Sequence, residues 1–238
     1  MPEKVIGVLG GMGPEATASF YKELVAHTFA RRDQEHLRVL IDSNPKIPDR
    51  TLAIFRRGES PLPAMVMSAL ALERAGADFI VMPCVTAHFF VEELGRSIKL
   101  PILSIVRAVT EHIAIYHPGI KKIGLLATSG TIQGGFFQEQ LKLDGLETLI
   151  PSGDDQCLVM SAIYDVKDIQ CQRSRAEITE EVCAVALRLI AQGAQGIIAA
   201  CTEIPLVLDA RKLPVPSFNP LLILARAAIE AAGGSYLP

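Results

Sequence analysis

The feature that most constrains this chain is a motif that occurs twice in register. The stretch Gly76-Ala77-Asp78-Phe79-Ile80-Val81-Met82-Pro83-Cys84 aligns without a gap to Gly193-Ala194-Gln195-Gly196-Ile197-Ile198-Ala199-Ala200-Cys201, placing Cys84 and Cys201 117 residues apart. The segment from Ile6-Gly7-Val8-Leu9 to Gly13 matches that from Ile123-Gly124-Leu125-Leu126 to Gly130 at the same spacing of 117. A third pair, Lys99-Leu100-Pro101 and Lys212-Leu213-Pro214, follows at 113. Three landmarks in one order predict two similar halves.

Within each copy, an apolar run reads as a buried parallel strand. Pro83 stops the first run and helical spacing resumes near Thr86. Each cysteine is therefore expected at the carboxyl end of a strand and just before a helix, where ligands bind in open α/β sheets. A helix start there would favour an anion or a thiolate. Strands at Val5–Leu9, Arg38–Ile41, Phe79–Met82 and Ile102–Ser104 alternate with helices at about 14–30, 63–75 and 86–98, and a helix to Tyr116 joins the halves. The second half repeats the pattern, with strands at Lys122–Leu126, Glu147–Ile150, just before Cys201 and at Leu213–Phe218. Its expected helices are Gln133–Leu143, Gln156–Ile169 and Arg175–Gln192. Such alternation predicts an α/β fold of two similar domains, each a parallel sheet flanked by helices. The boundaries read as 1–104 and 105–218, with 219–238 a C-terminal helical stretch expected to pack on the first half.

Composition narrows the function. Of 238 residues, half are hydrophobic and the net charge is −3. There is no basic stripe, which argues against nucleic acid as a partner. No apolar run approaches the roughly 18 residues that span a bilayer, and Met1-Pro2-Glu3-Lys4 runs directly into a strand rather than a signal-type apolar region. The expectation is a soluble cytoplasmic protein acting on a small molecule. Five cysteines without a CxxC pair read as reduced thiols. Cys183 falls on an apolar helix face, and Cys157 and Cys171 have no strand end beside them, so these three read as spectators.

Several motifs carry rival readings. Gly11-Met12-Gly13-Pro14-Glu15-Ala16 fits G-x-G-x-x-A after a strand, with Asp42 ending the next strand, but the Gly13–Asp42 interval of 29 residues exceeds the usual spacing of about 20 for a dinucleotide site. A tight turn explains it equally. Cys84 and His88, four residues apart, are candidate metal ligands with Cys201, yet no compact cluster of zinc spacing is present. His88 reads either as a functional imidazole beside a thiol or as a packed residue. Thr86, Thr128, Ser129, Thr131 and Thr202 sit at or just after strand ends, as helix caps or carboxylate ligands. Arg50 is either a solvated loop charge or a bidentate carboxylate clamp.

Val81-Met82-Pro83-Cys84-Val85-Thr86-Ala87-His88 together with Ile197-Ile198-Ala199-Ala200-Cys201-Thr202-Glu203 resembles the aspartate/glutamate racemase family. Gly10-Gly11-Met12-Gly13-Pro14, the loop Ile47-Pro48-Asp49-Arg50-Thr51 and the turn Leu125-Leu126-Ala127-Thr128-Ser129-Gly130-Thr131 look like its aspartate racemase branch. The resemblance covers essentially the whole chain. It implies two similar α/β domains with the active site in the cleft between them, a homodimer, and no cofactor or metal. It implies Cys84 and Cys201 as the catalytic pair, with Met12, Arg50, Thr86, Thr128, Lys167, Thr202 and Glu203 at substrate-binding positions. Two departures stand out: Val85 replaces the asparagine that follows the first cysteine in the family, and Asn219 stands where close relatives carry aspartate. The implied reaction interconverts L- and D-aspartate without pyridoxal phosphate. One cysteine removes the α-proton and the other returns a proton to the opposite face. Glutamate or another amino acid as substrate, a cysteine-dependent isomerase or decarboxylase of a small dicarboxylate, and a non-catalytic amino-acid-binding protein are the alternatives.

Overall fold

A computed structural model describes residues 3–168 and 170–236. It contains two four-stranded sheets, all of whose paired strands are parallel. In the first, β1 (Ile6–Gly10) lies between β2 (Val39–Ser43) and β3 (Phe79–Val81), and β4 (Ile102–Leu103) closes the far edge. In the second, β5 (Lys122–Ala127) lies between β6 (Glu147–Leu149) and β7 (Ile197–Ala200), with β8 (Ser217–Phe218) beyond β7. The orders β2-β1-β3-β4 and β6-β5-β7-β8 are one topology used twice. Every residue of β1, β3 and β7 is buried, which is why they read as unbroken apolar runs rather than alternating ones.

The 117-residue repeat extends to strand register. Gly7 pairs with Ile80 and Gly124 pairs with Ile197, so both partners are displaced by the same interval. The last strands are not so related: Ile80 pairs with Ile102, but Ile197 pairs with Ser217. These are 115 residues apart, so the Lys-Leu-Pro landmark at 113 lies two residues out of structural register. Val215-Pro216 supplies the difference.

The chain divides into two compact units. One comprises the residues up to Ala108 together with those from Leu221 onward; the other is Val109–Pro220. The first unit contains α1 (Pro14–His27), α2 (Arg50–Ile54), α3 (Leu62–Arg74), α4 (Val91–Gly95), the start of α5 (Ile105–Tyr116) and most of the C-terminal helix Pro220–Ala231. In this unit Lys4 N–H donates to Ala232 O at 3.0 Å and Phe29 N–H to Ser235 O at 2.8 Å. The second unit contains α6 (Ser129–Gly134), α7 (Phe136–Leu143), α8 (Gly153–Lys167) and α9 (Arg175–Ala191); the C-terminal helix is α10. A capping box at Ser174 and Glu177 starts α9, satisfying two of its orphan N–H groups.

Several elements differ from the sequence expectation, among them the strand expected over Leu213–Phe218, which only Ser217–Phe218 form. Helix α1 stops at His27 rather than Ala30, because Thr28 turns its hydroxyl back to Leu24 O and bridges to Tyr236. The loop after β2 holds the short helix α2, capped by Asp49 on Leu52 N–H at 2.8 Å. The expected helix 133–143 is two helices, broken where Gly135 adopts φ 70°. The stretch after Cys84 is a 3-10 turn, Thr86–Phe90, followed by the five-residue α4. The expected end of α8 at Ile169, the opening Met1-Pro2 and the closing Leu237-Pro238 lie outside the described residues.

Candidate active site

In the first unit, β1 and β3 are neighbours, so the turns leaving their carboxyl ends carry Met12 and Cys84 from adjacent strands. Cys84 follows a tight turn round Pro83, its N–H donating to Met82 O at 2.8 Å. Val85, Thr86, Ala87, His88 and Phe90 are all buried. Phe89 alone in this stretch is exposed, and the polar Thr86 and His88 face inward, so it lacks the polar outer face of a surface helix. The helical stretch that starts after Cys84 opens as a 3-10 turn and continues directly into α4.

His88 is 3% exposed and fully hydrogen-bonded. Its Nδ1 lies 3.0 Å from Cys84 O, and its Nε2 accepts Ile105 N–H at 3.2 Å. Both ring nitrogens are engaged, which removes the metal-ligand reading. Among the described residues, no group of three His, Cys, Asp or Glu is placed to hold a metal ion. Burial holds the imidazole neutral, lowering its pKa from 6.5 to about 4, against a raising contribution from the backbone bonds. The unfolded chain thus takes up this proton first. The stability tied to His88 is complete above pH 6.5 and is lost as pH falls toward 4. Between pH 6.5 and 5, above most carboxylate titration, the loss is roughly 2 kcal/mol. Urea melts across that window are expected to show the decline, and a His88→Phe protein is expected to lack it.

The glycine turn packs on its own unit. Gly11 N–H donates to Thr17 Oγ1 at 2.9 Å, and Thr17 Oγ1 donates to Gly13 O at 3.0 Å. A Cβ on Gly11 would fall 2.3 Å from the backbone of Asn44. The first glycine of the G-x-G-x-x-A pattern therefore serves contact with the β2 loop. Arg50, at the start of α2, donates from Nη1 to Ile47 O at 3.2 Å and Pro48 O at 3.0 Å, and from Nη2 to Met12 O at 3.1 Å. It is thus no solvated loop charge. Its Nε–H is buried with no partner among the described residues, a donor of the kind that a bound acceptor ordinarily satisfies.

In the second unit, Ala127 pairs with Ala200, so Thr128 and Cys201 leave adjacent strand ends side by side. Thr128 caps α6 through Thr131 N–H at 3.1 Å, and its hydroxyl lies 3.1 Å from that of Thr131. Ser129 N–H points at Met160 Sδ at 3.1 Å, while Gln156 Nε2 donates to Ala127 O and Ser129 Oγ. Cys201 donates from Sγ to Glu203 Oε2 at 2.9 Å, and Thr202 Oγ1 donates to the same oxygen at 2.9 Å. Lys167, the last residue of α8, stands 3.6 Å from Glu203 Oε1. Glu203 is only 6% exposed. Burial first, and then the Glu203 carboxylate, push the Cys201 thiol well up; Lys167 works in the opposite direction. This environment holds a protonated thiol, the reverse of the thiolate setting expected from a helix start. The chain after Cys201 is again only a 3-10 turn, Ile204–Leu206.

The structure thus groups Met12 with Arg50, Cys84 with Thr86 and His88, and Cys201 with Thr202, Glu203 and Lys167, while Thr128 caps its own helix. Met12, Ile47 and Cys84 share one hydrophobic cluster. Sequence reasoning did not anticipate Gln156 and Met160 beneath the Thr128 turn. No local signal marks them, because each contact spans about thirty residues. Of the other thiols, Cys183 is buried in the core and Cys157 is exposed.

Comparison with known proteins agrees with this arrangement. The family described as Asp/Glu/hydantoin racemase matches residues 9–228. The broad specificity amino-acid racemase RacX of Bacillus subtilis (strain 168) is 31% identical over 232 residues, covering 95% of this chain and 97% of that protein. The aspartate racemase of Picrophilus torridus has TM-score 0.85 at 31% identity, over 98% of this chain and 96% of that one. An aspartate racemase homologue from Pyrococcus horikoshii OT3 has TM-score 0.75 at 27% identity, over 97% and 99%. No described helix is long and apolar enough to cross a membrane. The chain therefore belongs to the Asp/Glu/hydantoin racemase family and is an isomerase of the racemase class.

Proposed function

We propose that the protein interconverts L- and D-aspartate by a two-base proton transfer between Cys84, Cys201 and the substrate Cα, with no cofactor. The observation that carries this reading is the Cys201 thiol bonded to Glu203, a proton held ready at one of two cysteines that occupy matching strand ends. In the direction starting from this state, a Cys84 thiolate removes the α-proton and becomes the thiol. Cys201 then delivers its own proton to the opposite face of Cα and becomes the thiolate. The second enantiomer uses the pair in the reverse order, so protons balance in each turnover. The reading requires both sulfurs to address one Cα, since a single base cannot serve both faces of a fixed substrate.

A thiolate on Cys201 would face the Glu203 carboxylate, so Lys167 is the charge that offsets it. The carbanion spreads its charge into the α-carboxylate, and hydrogen-bond donors aimed there lower the barrier. Thr86, Thr128 and Thr202 stand at the proposed substrate positions; the hydroxyls of Thr128 and Thr202 donate to Thr131 Oγ1 and Glu203 Oε2, so each would have to turn its proton to reach substrate. The buried Arg50 Nε–H is the donor proposed for a substrate carboxylate, with Met12 O and the loop carbonyls holding the guanidinium in place. The protein is proposed to act in the cytoplasm as a homodimer.

Val85, 2% exposed beside Cys84, favours a second reading. An apolar wall in place of a hydrogen-bonding side chain suits a racemase of wider substrate range, and the Bacillus subtilis relative is named as broad in specificity. Proton NMR in D₂O separates the two. Loss of the α-proton signal from both enantiomers of aspartate, with loss of optical rotation, is the expected result. Exchange confined to other amino acids would replace aspartate as substrate, and Val85→Asn would then be expected to shift preference toward it. No exchange across the panel would overturn racemisation of amino acids.

A further inference from the structure

We infer that His88 is a positioning residue for Cys84, a single imidazole that ties the Cys84 carbonyl to the first N–H of α5. The inference rests on Cys84 being one of the two reactive thiols.

The argument starts at the helix. Ile105 begins α5 and is fully buried. The first N–H groups of a helix have no acceptor within it, and burial without one is costly. His88 Nε2 is that acceptor, at 3.2 Å, so Nε2 must carry its lone pair. A neutral imidazole then holds its only proton on Nδ1, which lies 3.0 Å from Cys84 O. One tautomer satisfies both ends. The other would set two N–H groups against each other at Ile105 and two acceptors against each other at Cys84. At 3% exposure the ring lies out of reach of the bulk solvent that would soften either clash at the surface.

The consequence falls on the cysteine. The carbonyl of Cys84 belongs to the residue whose sulfur reacts, and a rigid ring fastens it to a helix that starts seventeen residues after the histidine. The interval of four between Cys84 and His88 is what a side chain needs to reach back to that carbonyl. The second copy of the motif has Pro205 at the corresponding place and no such ring. There the sulfur itself is held, by Glu203 at 2.9 Å. The two halves thus orient their thiols by different means: the first through its backbone, the second through its side chain. Proton transfer at carbon depends on placement, and a shift of about 1 Å costs roughly 10²-fold in rate.

Two substitutions and one spectrum test this. His88→Phe keeps the ring and removes both bonds; kcat is expected to fall about 10- to 100-fold with KM nearly unchanged. His88→Asn keeps a donor for the Cys84 carbonyl and is expected to recover most of that loss. In the unsubstituted protein, ¹⁵N-labelled histidine should show His88 protonated on Nδ1 and bare on Nε2 at neutral pH. A folded His88→Phe protein with undiminished kcat would overturn the inference, as would an Nε2–H tautomer. If His88→Phe does not fold, an inactive but folded His88→Asn protein would overturn it. Full turnover by Cys84→Ser would remove the reading of Cys84 itself, whereas an inactive Cys84→Ser beside a fully active His88→Phe would sink only the role given to His88.

Discussion

Cys84→Ser and Cys201→Ser are each expected to lose racemisation by at least about 10²–10⁴-fold, the range ordinarily supplied by one general acid or base. Serine keeps the volume and the hydrogen bond but not the acidity. At position 201 a hydroxyl still donates to Glu203, so the fold and the pairing with Lys167 should survive. What disappears is a group able both to release and to take a proton near neutral pH. The loss should also be one-sided. A protein retaining only Cys84 can still exchange the α-proton of the enantiomer presented to that sulfur, returning deuterium to the same face. NMR in D₂O would then show exchange from one enantiomer without loss of optical rotation, and the two variants should prefer opposite enantiomers. Undiminished turnover in either variant would defeat the two-base mechanism.

The second large effect concerns the fold around Met12. Gly11→Ala is expected to destabilise the first unit by about 2–5 kcal/mol, the sum of left-handed backbone strain and overpacking. Gly11 has φ 85°, where an L side chain presses on the backbone. The added Cβ would stand 2.3 Å from Asn44 N and C and 2.5 Å from Asn44 O. These are main-chain atoms that no rotamer change can move. Relief would have to come from shifting the β2 loop, and with it Arg50, away from the Met12 carbonyl that anchors it. Gly95→Ala is the control: it lacks a positive φ, and its Cβ would meet nothing within 4 Å. Thermal melts should separate the two variants by several degrees or more. Equal melting would show that the Gly11 turn is not under this constraint.

The readings that succeeded and those that did not differ in range. Phe79 to Val81 and Ile197 to Ala200 were legible because a central parallel strand is buried on both faces and must be apolar throughout. Helix α9 was legible from the apolar face that carries Cys183, while its capping box at Ser174 was not read. The break at Gly135 and the short helix α2 were not, since one glycine conformation and one Asp49 cap decide them. His88 was ambiguous for a related reason. Its spacing from Cys84 suggested chemistry, and only the position of Ile105 N–H showed that both nitrogens are already used. Which of the two cysteines would carry the proton was not legible, although Glu203 lies only two residues from Cys201. Whether that carboxylate points at the sulfur or at solvent is a matter of rotamer and burial, which composition does not reveal.

The sequence by itself determined the duplication, the parallel α/β class of each half and the family. Each of these rests on apolar period, strand length or a motif repeated at fixed spacing, all properties local to the chain. Tertiary structure alone decided that the repeat holds in strand register to Gly7–Ile80 and Gly124–Ile197 yet slips by two residues at β8. It alone decided which side chains spend their hydrogen bonds on the protein, as His88, Thr128 and most of Arg50 do. It also decided that the Cys201 thiol is buried against the Glu203 carboxylate. These are outcomes of burial and of contacts between residues far apart in sequence, where desolvation sets the cost of every unpaired donor and every charge.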